Sequence, residues 1–166
     1  MIIPESVTSY IEKGPMDNMY FYKANASWDR LTAIANGSFP YISDDYSGLI
    51  NTLERFYKGV LQSKLDNDET YHLPIGFLTM DHNLRKLADE IEHFLPLFVI
   101  HSVSDMRIRN IFLDSLRKAY TTARYTQDFS FEEFKELYSF VQKQKNAIEQ
   151  YLQPKIKEVE DHELDL

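Results

Sequence analysis

Cysteine is absent from this chain of 166 residues. Without thiols the sequence offers no disulfides, no thiolate nucleophile and no cysteine ligands for zinc, which is compatible with a reducing compartment. Glycine (5 residues) and proline (6 residues) are scarce, and few segments alternate apolar and polar residues as a half-buried strand does. These shortages leave helices as the expected building element.

Long hydrophobic runs are also missing. The longest run, residues 94–100, is far too short to cross a bilayer and contains a proline. The first residues lack the basic start and the apolar stretch of a secretory signal peptide. The sequence therefore predicts a cytoplasmic protein that neither spans nor binds a membrane.

Positive charge is the scarce sign, with 18 Lys and Arg against 26 Asp and Glu and a net charge of −8. This balance argues against nucleic-acid binding over the whole surface. The charge is segregated, however: residues 105–124 contain five basic and two acidic side chains, whereas residues 153–166 contain two basic and five acidic ones. A local basic patch is therefore the best functional lead.

Apolar residues recur at three- and four-residue spacing, as they do on the buried face of a helix. The pattern predicts six helical segments, counted in chain order. The first is a short piece over residues 4–14, and the others cover about residues 16–36, 43–65, 80 or 81 to 94, 104–125 and 130–152. Ser104 is the expected N-cap of the fifth helix, and Ser130 with Glu133 forms a capping-box pattern before the sixth. The fifth helix is expected to turn these residues inward: Ile108, Phe112, Leu116, Tyr120 and Ala123, with Ile111 beside them.

No internal repeat or linker divides the sequence, and 43% hydrophobic residues suffice for one core. We therefore expect a single all-α domain over residues 1–152, an up-and-down bundle of four to five helices with an extra N-terminal helical segment. Residues 153–166 are expected to form a charged C-terminal tail.

Three stretches resemble the HEPN family, the higher eukaryote and prokaryote nucleotide-binding helical bundles. Residues 123–152, ARYTQDFSFEEFKELYSFVQKQKNAIEQYL, resemble the last helical hairpin of that family. Residues 82–91, HNLRKLADEI, resemble its His-Asx-Leu helix start, and residues 46–62, YSGLINTLERFYKGVLQ, resemble its early amphipathic helix. The resemblance implies a HEPN-like bundle that commonly dimerises around a cleft, and many members occur beside a nucleotidyltransferase.

Some members of the family are ribonucleases, whose signature is Arg, then four to six residues, then His, on the penultimate long helix. No such pair is found on that helix here, because Arg117 is followed after six residues by Arg124. Seven positions return to nearly the same helix face. Arginine, with a pKa above about 12, does not accept a proton at neutral pH, but its planar fork binds phosphate.

The corner around these arginines is the predicted ligand site, and its residues are Arg117, Lys118, Tyr120, Arg124 and Tyr125. A structural alternative is that the basic side chains only interact with the C-terminal end of the helix dipole. His82 and Arg85, on another helix, are a second group that a dimer cleft would bring close to the corner.

A metal site is one further alternative, because helical bundles hold di-iron sites built on Glu-x-x-His. Glu90 and His93 have this spacing, but Glu54 is the one fair candidate for a further inward carboxylate. The sequence therefore predicts no metal and no cofactor.

The leading hypothesis is a non-catalytic, HEPN-like homodimer that binds a nucleotide, RNA or a nucleotidyltransferase-type partner. One alternative is a metal-independent, toxin-type ribonuclease that uses Arg117 or Arg124 with His82 across a dimer cleft. Another alternative is a structural, antitoxin-type partner protein in a toxin–antitoxin pair.

Overall fold

The computed structural model describes residues 18–164, with side chains for residues 18–153, and within this part the chain is all-helical without strands. None of the helices in this part is long and apolar enough to span a membrane. The expected all-α bundle is confirmed, whereas the helical piece predicted over residues 4–14 lies outside the described residues. The helices are α1 (Met19–Ala35), α2 (Asp44–Asn67), α3 (Phe77–Met80), α4 (Leu84–Ile91), α5 (Val103–Tyr125) and α6 (Phe131–Leu164).

Helix α2 is the centre of the bundle, because it contacts α1, α4, α5 and α6. Its apolar residues are spread around the helix rather than confined to one stripe, as expected of a helix that is surrounded by others. Six of them are at most 2% exposed: Leu49, Leu53, Phe56, Tyr57, Val60 and Leu61. These four helices are therefore positioned by their contacts with α2.

A buried polar link joins α2 to α6. The hydroxyl of Tyr57 donates a hydrogen bond of 2.7 Å to Oε1 of Gln144, and Nε2 of Gln144 donates one of 3.0 Å to the carbonyl of Leu97. Burial raises the pKa of Tyr57, so the hydroxyl stays neutral and keeps its proton for this bond. The link connects α2, α6 and the segment between α4 and α5.

Two predicted helix starts are wrong. The fourth helix was expected at residue 80 or 81, but α4 begins at Leu84, where the side chain of Asn83 accepts hydrogen bonds from two backbone amides. The cap of α5 is Ser102 rather than Ser104, because the Ser102 hydroxyl accepts a 3.1 Å bond from the amide of Asp105. Both caps have extended backbone, as N-cap residues usually do.

The inward face of α5 agrees with the prediction only in part, because Leu116 and Ala123 are buried as predicted but two isoleucines are not. Ile108 and Ile111 are 66% and 62% exposed, whereas Arg109 is only 4% exposed. Arg109 forms ion pairs with Asp89 and Glu92, and its guanidinium lies 5.1 Å from the ring centre of Phe98. This paired arginine is buried together with Leu113, Leu116 and Ala123.

The start of α6 confirms the predicted capping box. The hydroxyl of Ser130 accepts a bond from the amide of Glu133, and the carboxylate of Glu133 accepts one from the amide of Ser130, both of 3.1 Å. The helix runs to Leu164, beyond the end predicted at Leu152.

Two glycines inside α2 provide a matched test of the packing. A Cβ added at Gly59 would lie 2.6 Å from Cδ1 of Phe21, whereas one added at Gly48 would lie at an ordinary 3.7 Å from Leu31. We expect Gly59→Ala to lower the free energy of unfolding by about 1–3 kcal/mol through overpacking. Gly48→Ala should raise it by up to about 1 kcal/mol, because alanine is the better helix former. Urea unfolding followed by circular dichroism measures both values, and equal effects would contradict the close approach of α1 to α2.

Candidate functional site

A cavity of about 320 Å³ lies between α2, α5 and the start of α4. We call it the α2–α5 pocket. Several of its lining groups are polar, in contrast to the core beneath, and its size is that of small-ligand sites. The residues that line it are Ile50, Asn51, Glu54, His82, Leu84, Arg117, Tyr120 and Thr121.

Helical spacing explains how these side chains meet. On α5, Tyr120 and Thr121 lie three and four positions after Arg117, so both are one turn away from it on the same face. Asn51 and Glu54 have the same relation on α2. His82 comes from the segment that the Asn83 cap connects to α4. The pocket thus combines residues of three segments that are distant in sequence.

Glu54 interacts with two basic side chains at the polar side of the pocket. One oxygen, Oε2, lies 3.1 Å from Nδ1 of His82 and 3.3 Å from Nζ of Lys58. Lys58 is 4% exposed, and its ammonium lies 6.0 Å from the ring centre of Tyr20. Burial, and secondarily the charge of Glu54, raises the pKa of Tyr20. Glu54 is therefore the counter-ion of a buried lysine as well as a partner of His82.

The Glu54–His82 contact has a chemical consequence. When Nδ1 of an imidazole is hydrogen-bonded to a carboxylate, that nitrogen is the one that carries the proton, and Nε2 is left free to accept another. His82 is two-thirds exposed, so a ligand has access to its ring. Arginine, tyrosine and a carboxylate-paired histidine together are able to bind an anion and to exchange a proton with it.

Arg124 and Tyr125 line a different and more open cavity of about 380 Å³, where α5 turns into α6. Nη1 of Arg124 donates a 3.3 Å bond to the hydroxyl of Tyr120, and the guanidinium lies 5.7 Å from the ring centres of Tyr120 and Tyr125. Arg117 and Arg124 therefore line two separate cavities, although both are on α5. Tyr120 connects the two places.

The remaining predicted site residues lie outside the α2–α5 pocket. Lys118 is exposed and lines neither cavity. Arg85 donates a 3.1 Å bond to Asp114 at the surface, between α4 and α5, and so does not stand beside His82 in the pocket.

The residues considered for a metal have other partners. Glu90 accepts a 2.7 Å bond from Tyr71 and lies 3.7 Å from Nδ1 of His93. Glu54 is paired with Lys58 and His82. Among the residues with described side chains, no group of three or more carboxylates and histidines is arranged to hold a metal ion.

Sequence reasoning considered Glu54 only as a metal ligand, and it missed Lys58, Asn51 and Thr121. The sequence does carry a signal for the ion pair between Glu54 and Lys58. The glutamate precedes the lysine by four residues on a predicted helix, which is the favourable order for such a pair. That Lys58 is buried, and that His82 reaches Glu54, depends on how α1 and α4 pack on α2.

No protein-family model, curated protein or solved structure matches this chain. The HEPN resemblance, the homodimer and the nucleotidyltransferase partner therefore stay predictions.

The role of Glu54 as a counter-ion leads to a stability prediction. Glu54→Gln should lower the free energy of unfolding by about 1–3 kcal/mol at neutral pH, because buried Lys58 loses its charged partner. Adding Lys58→Met should recover much of this loss, since no buried charge then remains unpaired. His82→Ala, at an exposed position, should change the value by less than about 0.5 kcal/mol. Denaturant titration of the three variants measures this, and an unchanged Glu54→Gln stability would contradict the pairing.

Proposed function

We propose that the protein binds a nucleotide, or a nucleotide unit of single-stranded RNA, in the α2–α5 pocket. The observation that carries the proposal is the presence of Arg117, Tyr120 and His82 in one cavity of about 320 Å³. HEPN-type bundles, which the sequence resembles, are nucleotide-binding proteins, and this agrees with the proposal.

Four of the side chains that line the pocket suit the parts of a nucleotide. The guanidinium of Arg117 pairs with a phosphate through two parallel hydrogen bonds. The ring of Tyr120 offers a face on which a base stacks. The hydroxyl of Thr121 and the amide of Asn51 are available to the sugar. Glu54 opposes anion binding by its own charge, but Lys58 lies 3.3 Å from it and compensates.

Binding is tested by calorimetric titration of the full chain with adenosine monophosphate and with a short single-stranded RNA. We expect Arg117→Ala to weaken binding about 10-fold or more, because a hydrogen bond to a charged group contributes about 1.5–3 kcal/mol. Lys118→Ala removes the same charge from the next residue, outside the pocket, and should have a small effect that disappears at high salt. Equal affinities of the wild type and both variants, or no binding by any of them, would contradict the proposal.

A second candidate function is metal-independent RNA cleavage, and the Glu54–His82 pair favours it. Here His82 takes the proton of a ribose 2′-hydroxyl, and the 2′-oxygen attacks phosphorus to form a 2′,3′-cyclic phosphate. The bond from phosphorus to the 5′-oxygen breaks, and the 5′-oxygen takes a proton from water. Arg117 compensates the charge that develops on the phosphate. His82 and Arg117 line the same cavity of one chain, so this reaction does not require residues from two protomers.

Cleavage is tested by incubating labelled single-stranded RNA with the purified protein in EDTA. If the second candidate is right, the wild type cleaves, and His82→Gln lowers the rate at least about 100-fold, the usual contribution of a general base. His72→Gln is the matched control, because His72 is exposed and lines neither cavity. Binding without any cleavage would leave the non-catalytic function as the answer, whereas cleavage that survives His82→Gln would exclude this mechanism.

A further inference from the structure

Tyr120 lies between the α2–α5 pocket and the open cavity at the turn from α5 to α6. It lines the pocket, and its hydroxyl accepts a 3.3 Å bond from Nη1 of Arg124. Arg124 lines the open cavity and is not among the residues that line the pocket. Arg124 therefore reaches the pocket through Tyr120 and not by a contact of its own.

Helical spacing makes this contact a local one. Arg124 follows Tyr120 by four positions, so the two side chains lie one turn apart on the same face of α5. The guanidinium lies 5.7 Å from the ring centre of Tyr120, within the range of a cation–π contact, and equally far from that of Tyr125. Arg124 thus contacts both the hydroxyl and the ring of Tyr120.

The guanidinium of Arg124 is not taken up by a carboxylate. Asp44 and Asp128 line the same cavity, but among the residues with described side chains Arg124 forms no ion pair. An ion pair would draw the guanidinium away from Tyr120, since a carboxylate is a stronger acceptor than a neutral hydroxyl. The hydroxyl of Tyr120 is therefore the acceptor that the fold provides for Arg124.

The hydroxyl is an effective place at which to restrain a tyrosine ring. It lies at the end of the side chain, so a hydrogen bond there limits rotation about the side-chain torsions. A base that stacks on a restrained ring does not need to order it first, and ordering a free side chain lowers affinity. A contact outside the pocket can therefore strengthen binding inside it.

We propose that Arg124 is a positioning residue of the α2–α5 pocket, which holds the ring of Tyr120 in place for stacking on a base while Arg117 binds the phosphate. The inference rests on the nucleotide binding proposed above and adds a role for a residue outside the pocket. It replaces the role that the sequence suggests for Arg124, because in this arrangement Arg124 does not touch the ligand.

The first test is a double-variant cycle, measured by calorimetric titration of the full chain with adenosine monophosphate and, in parallel, with a short single-stranded RNA. Arg124→Met removes the donors of the side chain, and Tyr120→Phe keeps the ring but removes its hydroxyl. Each change should weaken binding about 3- to 10-fold, the cost of ordering one side chain. In the Tyr120→Phe background, Arg124→Met should add less than about a 2-fold effect, because the bond that it removes is already absent.

Two control variants accompany the cycle. Arg107→Met removes the same charge from another exposed arginine of α5, one that lines neither cavity, and it should leave the affinity unchanged. Arg124→Lys keeps a charge and a donor, and it should recover part of the affinity that Arg124→Met loses. Unchanged melting temperatures verify that the variants are folded.

The outcomes of the cycle separate this role from the proposed function. An Arg124→Met effect of equal size in both backgrounds, or no effect in the wild-type background, would overturn the positioning role and leave nucleotide binding in place. A wild type that binds neither ligand would remove the proposed function and this role together.

The second test needs no ligand. In protein with isotope-labelled tyrosine rings, the nuclear magnetic resonance signals of Tyr120 are those that Tyr120→Phe removes. Arg124→Met should shift these signals, because the donor to the hydroxyl and the cation beside the ring are both lost, whereas Arg107→Met should not. Unchanged Tyr120 signals in Arg124→Met would overturn the contact on which the role depends.

The third test distinguishes positioning from phosphate binding. Removing an arginine that neutralises a phosphate of single-stranded RNA lowers the slope of log affinity against log salt by about 0.7 to 1. Arg117→Ala should show this change, whereas Arg124→Met should lower the affinity and leave the slope near the wild-type value. A slope that falls as much for Arg124→Met as for Arg117→Ala would make Arg124 a phosphate ligand and overturn the proposal.

Discussion

The burial of α2 among the other helices is the constraint on which the rest of the structure depends. Gly59 allows the ring of Phe21 to approach the α2 backbone, which sets the position of α1. On another side, Tyr57 and Gln144 attach α6 through a hydrogen-bond link that burial makes strong. A central helix of this kind has little surface of its own. Its polar residues therefore need partners within the fold, and one of them, Glu54, pairs with Lys58 and His82 and leads directly to the candidate site.

Buried cations organise this acidic chain at two places. Lys58 is paired with Glu54, and Arg109 is paired with Asp89 and Glu92. A buried charge without a counter-ion is very costly, so each pair restricts how its helices meet. Where Arg109 forms its ion pairs, α5 is turned about its axis relative to the predicted orientation, and Ile108 and Ile111 are therefore exposed to solvent. One helix thus serves the core, the pocket and an exposed apolar face.

The basic corner of α5 has a different meaning in the folded chain than in the sequence. Arg117 and Arg124 lie on one helix face, yet they line separate cavities, and the histidine that shares a cavity with Arg117 comes from a segment before α4. The absence of a histidine from α5 therefore does not leave the pocket without one. Binding is the function that we propose, and His82 with Glu54 is the feature on which a reaction would depend.

The sequence by itself determined the elements that depend on neighbouring residues. The helical class and the Ser130–Glu133 cap follow from spacing and from local hydrogen bonds, which need no tertiary contact. The cap of α5 was misplaced by two residues, because Ser102 and Ser104 both satisfy the local rule. The orientation of α5 was decided only by the tertiary structure. Periodicity assigns an arginine to the exposed face, and that Arg109 is buried becomes clear only when its carboxylate partners, such as Asp89, are known. The same holds for the pocket: Glu54, His82 and Arg117 are far apart in the chain, and only the packing of α4 and α5 on α2 brings them together.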